Sequence, residues 1–211
     1  ILPFEAVDYK CAVWVNDILV GTHKGGVDRF SFNITPYLKS KGQQKIVLAV
    51  EDATNFSSQP RGKQQINSSG IYYTPVSGIW QTVWLEAVSS EAYINQVKTT
   101  TDIDNSTVRL IPISNVTLID GYQVAIDVFF DDKKVNSGIT QPNTPVELKI
   151  DNAQLWSPDH PHLYDVKMHL VNPSGMVIDR AESYFGMRQI SLGDHPGVKY
   201  LSLNNAPLCH Y

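Results

Sequence analysis

The chain has 211 residues, 42% of them hydrophobic and 18% charged, and its 17 basic and 21 acidic side chains leave a formal net charge of −4. That composition excludes a disordered or strongly charged chain, and the length suits one large or two ordinary domains. A mildly acidic balance without a Lys/Arg run argues against nucleic acid, and no apolar stretch nears the roughly 18 residues of a membrane span.

The N-terminus, Ile1-Leu2-Pro3-Phe4, has no initiator Met, basic segment or cleavage site, so it does not read as a signal peptide. The chain begins as if cut from something longer. Its dominant period is two. Ala12 to Val15 and Ile18 to Gly21 read as strands, joined at Asn16-Asp17, two residues that tolerate positive φ and so mark a hairpin. Thr35-Pro36-Tyr37 predicts a single helical turn with Thr35 as N-cap and Pro36 first in the helix. Lys45 to Val50 is another strand. Asn55 to Gly70 is a long polar loop, and Thr82 to Glu86 returns to alternation. The pattern restarts after residue 91, at Tyr93–Val97, Thr107–Ile111, Tyr122–Phe130, Val146–Ile150, Leu163–Val171 and Met176–Phe185. Asn172-Pro173-Ser174-Gly175 is turn chemistry between the last two. Short strands with Gly, Pro and Asn punctuation predict an all-β chain of sandwiches. About seven strands in about a hundred residues match the size of an immunoglobulin-like domain.

Cys11 and Cys209 lie at opposite ends of the chain, and both are expected to be free thiols rather than a disulfide framework. Sequons at Asn33, Asn55, Asn67, Asn105 and Asn115 arise readily in a chain this rich in Asn, Ser and Thr, so the compartment stays open.

Tyr72, Tyr73, Trp80 and Trp84 form an aromatic cluster that could stack on sugar rings or pack against a neighbouring domain. Alternation puts Trp80, Thr82 and Trp84 on one face and Gln81, Val83 and Leu85 on the other, which favours interdomain packing for Trp80 and Trp84. Asp159-His160-Pro161-His162 lacks the ligand spacing of a zinc site and reads as a turn; no metal is expected. The carboxylates Glu51-Asp52, Glu86, Glu91 and Asp102/Asp104 fall at strand ends or turns, where solvation explains them. No nucleophile elbow or phosphate loop occurs, and no catalytic residue is expected in this chain. In the loop Gln59-Pro60-Arg61-Gly62-Lys63-Gln64, Arg61 and Lys63 could meet sugar hydroxyls or acids, or simply be solvated.

Several segments resemble glycoside hydrolase family 2, which contains β-galactosidases, β-glucuronidases and β-mannosidases. Ser77-Gly78-Ile79-Trp80-Gln81-Thr82-Val83-Trp84-Leu85-Glu86 looks like the strand that ends that family's sugar-binding domain. Val13-Trp14-Val15-Asn16, then Val20-Gly21-Thr22-His23-Lys24-Gly25-Gly26 and Phe30-Ser31-Phe32, resemble the same domain, with Asp17 where the family's turn has Gly. Leu155-Trp156-Ser157-Pro158 with Pro161-His162-Leu163-Tyr164, and Tyr184-Phe185-Gly186-Met187-Arg188, resemble its immunoglobulin-like second domain. Leu203-Asn204-Asn205-Ala206-Pro207-Leu208 resembles the lead into the catalytic (β/α)₈ barrel.

The resemblance implies a partial jelly-roll (galactose-binding-like) domain over residues 1–91, an immunoglobulin-like sandwich over 92–190, and a lead-in over 191–211. It places the family's two catalytic glutamates after Tyr211, so this chain is expected to be the non-catalytic segment of a retaining, β-galactosidase-like glycosidase that needs no cofactor. Tyr72 stands where several members carry an Asp that reaches the sugar; a phenol can stack and hydrogen-bond there but lacks the charge. Arg61, Lys63 and Tyr72 are the candidate substrate-binding residues. The expected partner is a carbohydrate substrate held through the barrel. Self-association into a homo-oligomer is expected from the unpaired edge that a partial sandwich leaves. The alternative is a stand-alone carbohydrate-binding or adhesion β-sandwich.

Overall fold

A computed structural model of the chain describes residues 1–116, 120–195 and 197–208. Among the described residues it is built of short strands with two single turns of 3-10 helix, and no helix there is long and apolar enough to cross a membrane. The chain divides into two compact units, Ile1–Ala87 and Val88–Tyr211.

In the first unit the strands are β1 (Leu2–Phe4), β2 (Val7–Asp8), β3 (Lys10–Val15), β4 (Ile18–Lys24), β5 (Phe30–Phe32), β6 (Ile46–Glu51) and β7 (Gly78–Ile79). They form the sheets β4-β3-β6, β1-β5 and β2-β7, all antiparallel. The β3–β4 hairpin turns at Asn16 (φ 51°) and Asp17 (φ 67°); two positive φ values in a row are what a tight primed turn demands, and Asp17 meets the demand without glycine. Alternation sends Cys11, Val13 and Val15 inward to meet Leu2, Phe4, Val7 and Ile34. Phe4 and Phe30 stack at 4.8 Å beneath them.

Two local expectations change. The helical turn spans Thr35–Tyr37, but Thr35 lies inside it; Asn33 Oδ1 accepts the Thr35 N–H at 3.0 Å. The Thr82–Glu86 strand is a broken ladder. Trp80 N, Trp84 N and Glu86 N donate to Ala6, Pro3 and Ile1 carbonyls, and Glu5 N donates to Thr82 O. Only β7 and the Phe4–Val83 bridge qualify as paired strand. Pro3 has no N–H to donate, so a rung is missing opposite Trp84. Val83 alone of this segment packs on the core.

The second unit contains β8 (Ile94–Asp102), β9 (Thr107–Ser114), β10 (Gln123–Phe130), β11 (Lys133–Thr140), β12 (Val146–Lys149), β13 (Tyr164–Val171) and β14 (Val177–Phe185). Sheets β11-β10-β13-β14 and β12-β9-β8 enclose a core to which Val124, Ile126 and Val128 contribute from β10 and Tyr164, Val166, Met168 and Leu170 from β13. Seven strands in a four-plus-three sandwich is the immunoglobulin-like architecture. The Asn172 turn forms as its composition requires: Asn172 Oδ1 accepts the N–H of Ser174 and Met176, and Gly175 takes φ 84°. Beyond the sandwich, β15 (Ile190–His195), β16 (Val198–Leu203) and β17 (Ala206–Pro207) form a three-stranded meander. Cys11 is a free, buried thiol, pushed up mainly by its burial; Cys209 lies outside the described residues.

Candidate functional site

In the first unit, polar side chains converge where β6 ends and β7 begins. Asp52, one residue past β6, binds both ends of the long loop. Its Oδ1 accepts Thr54 N at 2.7 Å and Gln59 Nε2; its Oδ2 accepts Ser77 Oγ at 2.7 Å and the Thr54 hydroxyl at 3.4 Å. Burial works against the charge, but the hydrogen bonds from Ser77, Thr54 and Gln59 outweigh it and hold the carboxyl below its ordinary range. Asp8 is shifted the other way, first by burial and then by the charge of Asp52. Its Oδ1 is buried with no hydrogen-bond partner. Gly26 makes that burial possible, since a Cβ there would sit 2.7 Å from the same oxygen.

Two carboxyls moved in opposite directions are the raw material of acid–base chemistry. Here the chemistry is spent on structure, because both Asp52 oxygens are taken by the loop. Asp52 is therefore not the solvated strand-end acid expected from its position. Among the described residues, no group of three His, Cys, Asp or Glu could hold a metal. His160 and His162 lie in a turn, rings parallel at 6.1 Å, and His162 sets its edge against Phe130.

The structure gathers Arg61, Lys63 and Tyr72 into one excursion. Residues Lys63–Gln65 run beside Tyr73: Tyr73 N donates to Lys63 O at 2.9 Å and Gln65 N to Tyr73 O at 3.0 Å. Gln64 pins the pair, its Oε1 accepting Val76 N at 2.7 Å. Arg61 is half-buried and donates from Nη1 to Gln64 O at 2.9 Å, so its guanidinium closes its own turn. Lys63 is exposed, Tyr72 is 41% exposed and Tyr73 66%. Trp80 is 55% exposed, anchored by Nε1 donating to Gly26 O at 2.6 Å. Trp84 lies under the Arg29 guanidinium, 5.0 Å from the ring centre, and Arg29 also faces Glu5. The organising role of Asp52, Gln59, Gln64 and Ser77 has no signature in the sequence, since hydrogen bonds spanning up to 25 residues leave no local pattern.

In the second unit three separate segments meet. Trp156 N donates to Met187 O at 2.9 Å, and Asn204 Nδ2 donates to Trp156 O at the same distance. Arg188 stacks over the Trp156 ring at 4.6 Å while its carbonyl accepts the Thr101 hydroxyl. Gly186 is required for the approach, because a Cβ would come within 2.9 Å of Trp156. Thr99, Leu163, Tyr184 and Ile190 complete the wall of an open cavity of ≈ 500 Å³.

Residues 1–89 match the model of the sugar binding domain of glycosyl hydrolases family 2, and residues 92–188 match a second model of the same family. The chain is 27% identical over 216 residues to a β-galactosidase of Thermoanaerobacter pseudethanolicus, covering 98% of this chain and 28% of that protein. It is also 27% identical over 212 residues to a putative β-glucuronidase of Formosa agariphila, covering 95% of this chain and 24% of that one. A solved β-glucuronidase from Ruminococcus gnavus superposes with a TM-score of 0.76 at 18% identity, over 98% of this chain and 36% of its own. A β-glucuronidase from Bacteroides uniformis does so with a TM-score of 0.69 at 20% identity, covering 98% and 26%. The chain thus spans under a third of the length of these two curated relatives.

Proposed function

The chain belongs to glycosyl hydrolases family 2, and from that premise we propose that it is the non-catalytic segment of a retaining, β-galactosidase-like glycosidase. The observation that carries the proposal is the pairing of two family matches in order, 1–89 then 92–188, with coverage of only 24–28% of two curated relatives. Retaining hydrolysis needs two carboxyls about 5–5.5 Å apart across a sugar. Both oxygens of the Asp52 carboxylate already accept hydrogen bonds, from Thr54, Gln59 and Ser77.

The role left for these residues is support. Trp80, held by its indole N–H but exposed on its face, and Trp84, steadied by Arg29, would lean on the domain that carries the chemistry. Arg61, Lys63 and Tyr72 would border the mouth of its pocket, Arg61 by ordering the loop and Lys63 and Tyr72 by direct contact with hydroxyls. The substrate would be a terminal β-linked sugar.

Incubation of the purified chain with p-nitrophenyl β-galactoside is expected to give no turnover. Turnover that vanishes on a single Asp or Glu substitution would overturn the proposal. The exposed Tyr72, Tyr73 and Trp80 favour a second reading, a carbohydrate-binding module. Saturable lactose binding in calorimetry, lost in Tyr73→Ala, would move the assignment there.

A further inference from the structure

Residues 53–76 connect β6 to β7. Among the described residues, every hydrogen bond they make either stays inside the segment or ends on Asp52. None of them belongs to the apolar core of the first unit. The inner bonds close the segment on itself. Ile66 N donates to Asn55 Oδ1 at 3.0 Å, which ties its first turn to its middle. Lys63 and Gln65 pair with Tyr73 at 2.9 and 3.0 Å, and Val76 N reaches back to Gln64 Oε1 at 2.7 Å. Tyr72 N donates to Ser69 O at 3.1 Å, and the Ser68 and Thr74 hydroxyls share a hydrogen bond at 3.4 Å. Lys63 and Tyr72 are thereby fixed relative to each other by bonds that do not involve the rest of the first unit.

The outer bonds converge on one carboxylate. Thr54 and Gln59 donate to it from the entry of the segment, and Ser77 donates to it from the exit, 25 residues on. Hydrogen bonds to an ionised group are about twice as strong as neutral ones, so the charge of Asp52 decides how firmly the two ends are held.

We propose that Asp52 is a positioning residue: residues 53–76 form one preformed body, and Asp52 sets the orientation in which that body presents Lys63 and Tyr72. The proposal rests on the reading of those two side chains as sugar contacts. A site that recognises hydroxyls gains from having its donors held in place before the ligand arrives. Loss of the tether turns the body without dissolving it, because its inner bonds are separate from the outer ones.

The tether depends on charge, and its pH dependence has a definite sign. From β2 the charged Asp8 faces Asp52, while the segment and the residue before β7 bring the neutral Thr54, Gln59 and Ser77. Asp8 is raised and Asp52 lowered, so on acidification Asp8 takes its proton first, and the repulsion is gone before Asp52 is neutralised. The tether is complete above the ordinary carboxylate range and is lost as pH falls through the folded-state value of Asp52.

Residue-resolved amide exchange and residual dipolar couplings, measured by NMR on the intact chain, test this. Neither needs a sugar or turnover, so a failure here leaves the family role standing, and a failure of that role leaves the loop result standing. In the wild-type chain at neutral pH, the couplings of residues 53–76 should fit the same alignment as the rest of the first unit. In Asp52→Ala the protection of the Thr54 amide should fall about tenfold or more. The amides of Gln65 and Tyr73 should keep theirs within about twofold, and the couplings of the segment should fit a single alignment of its own. Acidified wild-type chain should show the same pattern, and Asp52→Ala should show no further change of this kind with pH. Gln64→Ala is the reciprocal variant, in which Tyr73 loses protection and Thr54 keeps it. Ser77→Ala cuts the exit tether alone and should turn the segment while Thr54 stays protected, which keeps the test decisive should Asp52→Ala not fold. Exchange that rises together at Thr54, Gln65 and Tyr73 in Asp52→Ala would overturn the proposal. So would a segment that holds its wild-type alignment in Asp52→Ala or in Ser77→Ala.

Discussion

In the second unit, β8, β9, β10, β11, β13 and β14 each run eight or nine residues, and inward side chains of all of these but β11 form a continuous core. In the first unit β1, β2, β5 and β7 run two or three residues, and the polar loop after β6 is tied down by Asp52 and Gln64 rather than by apolar packing. Yet Ile18, Leu19, Ile79 and Leu85 of the first unit stand largely in solvent. The contrast is between a sandwich held by side-chain packing and one whose long loop depends on a few charge-assisted hydrogen bonds. The first should fail when a cavity is cut in it, the second when a proton or a single polar group is changed.

The strongest test of that contrast is Tyr164→Ala. Tyr164 is buried, packed between Phe130 and Phe185 at 4.8 and 5.2 Å, and its hydroxyl accepts Gln154 N at 2.7 Å. Removing the ring should cost the second unit about 3–5 kcal/mol in urea unfolding, while the transition of the first unit stays in place. Asp52→Ala should be milder, about 1–3 kcal/mol, because it strands buried Thr54 and Gln59 rather than opening a large void. Its effect should be confined to the first unit. The wild-type pH profile gives a second reading of the same group. The folded-state pKa of Asp52 lies below its unfolded value, so its contribution is complete above the ordinary carboxylate range and fades as pH falls through the folded value. Asp52→Ala should remove that acid-side loss from the first unit. Equal responses of both units to either substitution would erase the distinction.

The same contrast explains what could be read from the amino acids alone. β10 and β13 alternate buried and open positions over their whole length, so their sequence carries their period, as does the Asn16-Asp17 turn. β11 carries no such period, because Lys133–Thr140 mixes charged, polar and small residues on an edge that packing does not select. The Trp80–Glu86 segment misled in the opposite sense: its alternation is genuine, but Pro3 opposite it cannot complete the ladder. The motif residues Trp156, Gly186, Arg188 and Asn204 were visible one segment at a time, and their convergence appears only once the chain is folded. Arg61 and Lys63 read as a cationic pair, but nothing in their spacing says that Arg61 turns back on Gln64 while Lys63 faces water.

Asp8 supplies the smallest test, and its sign is the reverse of the others. Its buried Oδ1 has no donor, and its carboxyl is raised above the ordinary value by burial and then by Asp52. A group of that kind adds no ionisation penalty to the fold while it is protonated in both states. As pH rises from the unfolded value through the higher folded one, ionisation becomes a penalty that persists at neutral pH. Asp8→Asn keeps the shape and abolishes the charge, so it should raise the midpoint of the first unit at neutral pH and leave it nearly unchanged at pH values below both carboxyl transitions. The gain should be smaller than the loss in Asp52→Ala, since Asp8 is only partly buried and solvent screens part of the repulsion. A gain of equal size at acid and neutral pH would show that shape rather than charge is at work, and a loss at neutral pH would mean that the Asp8 carboxylate holds the first unit together as Asp52 does.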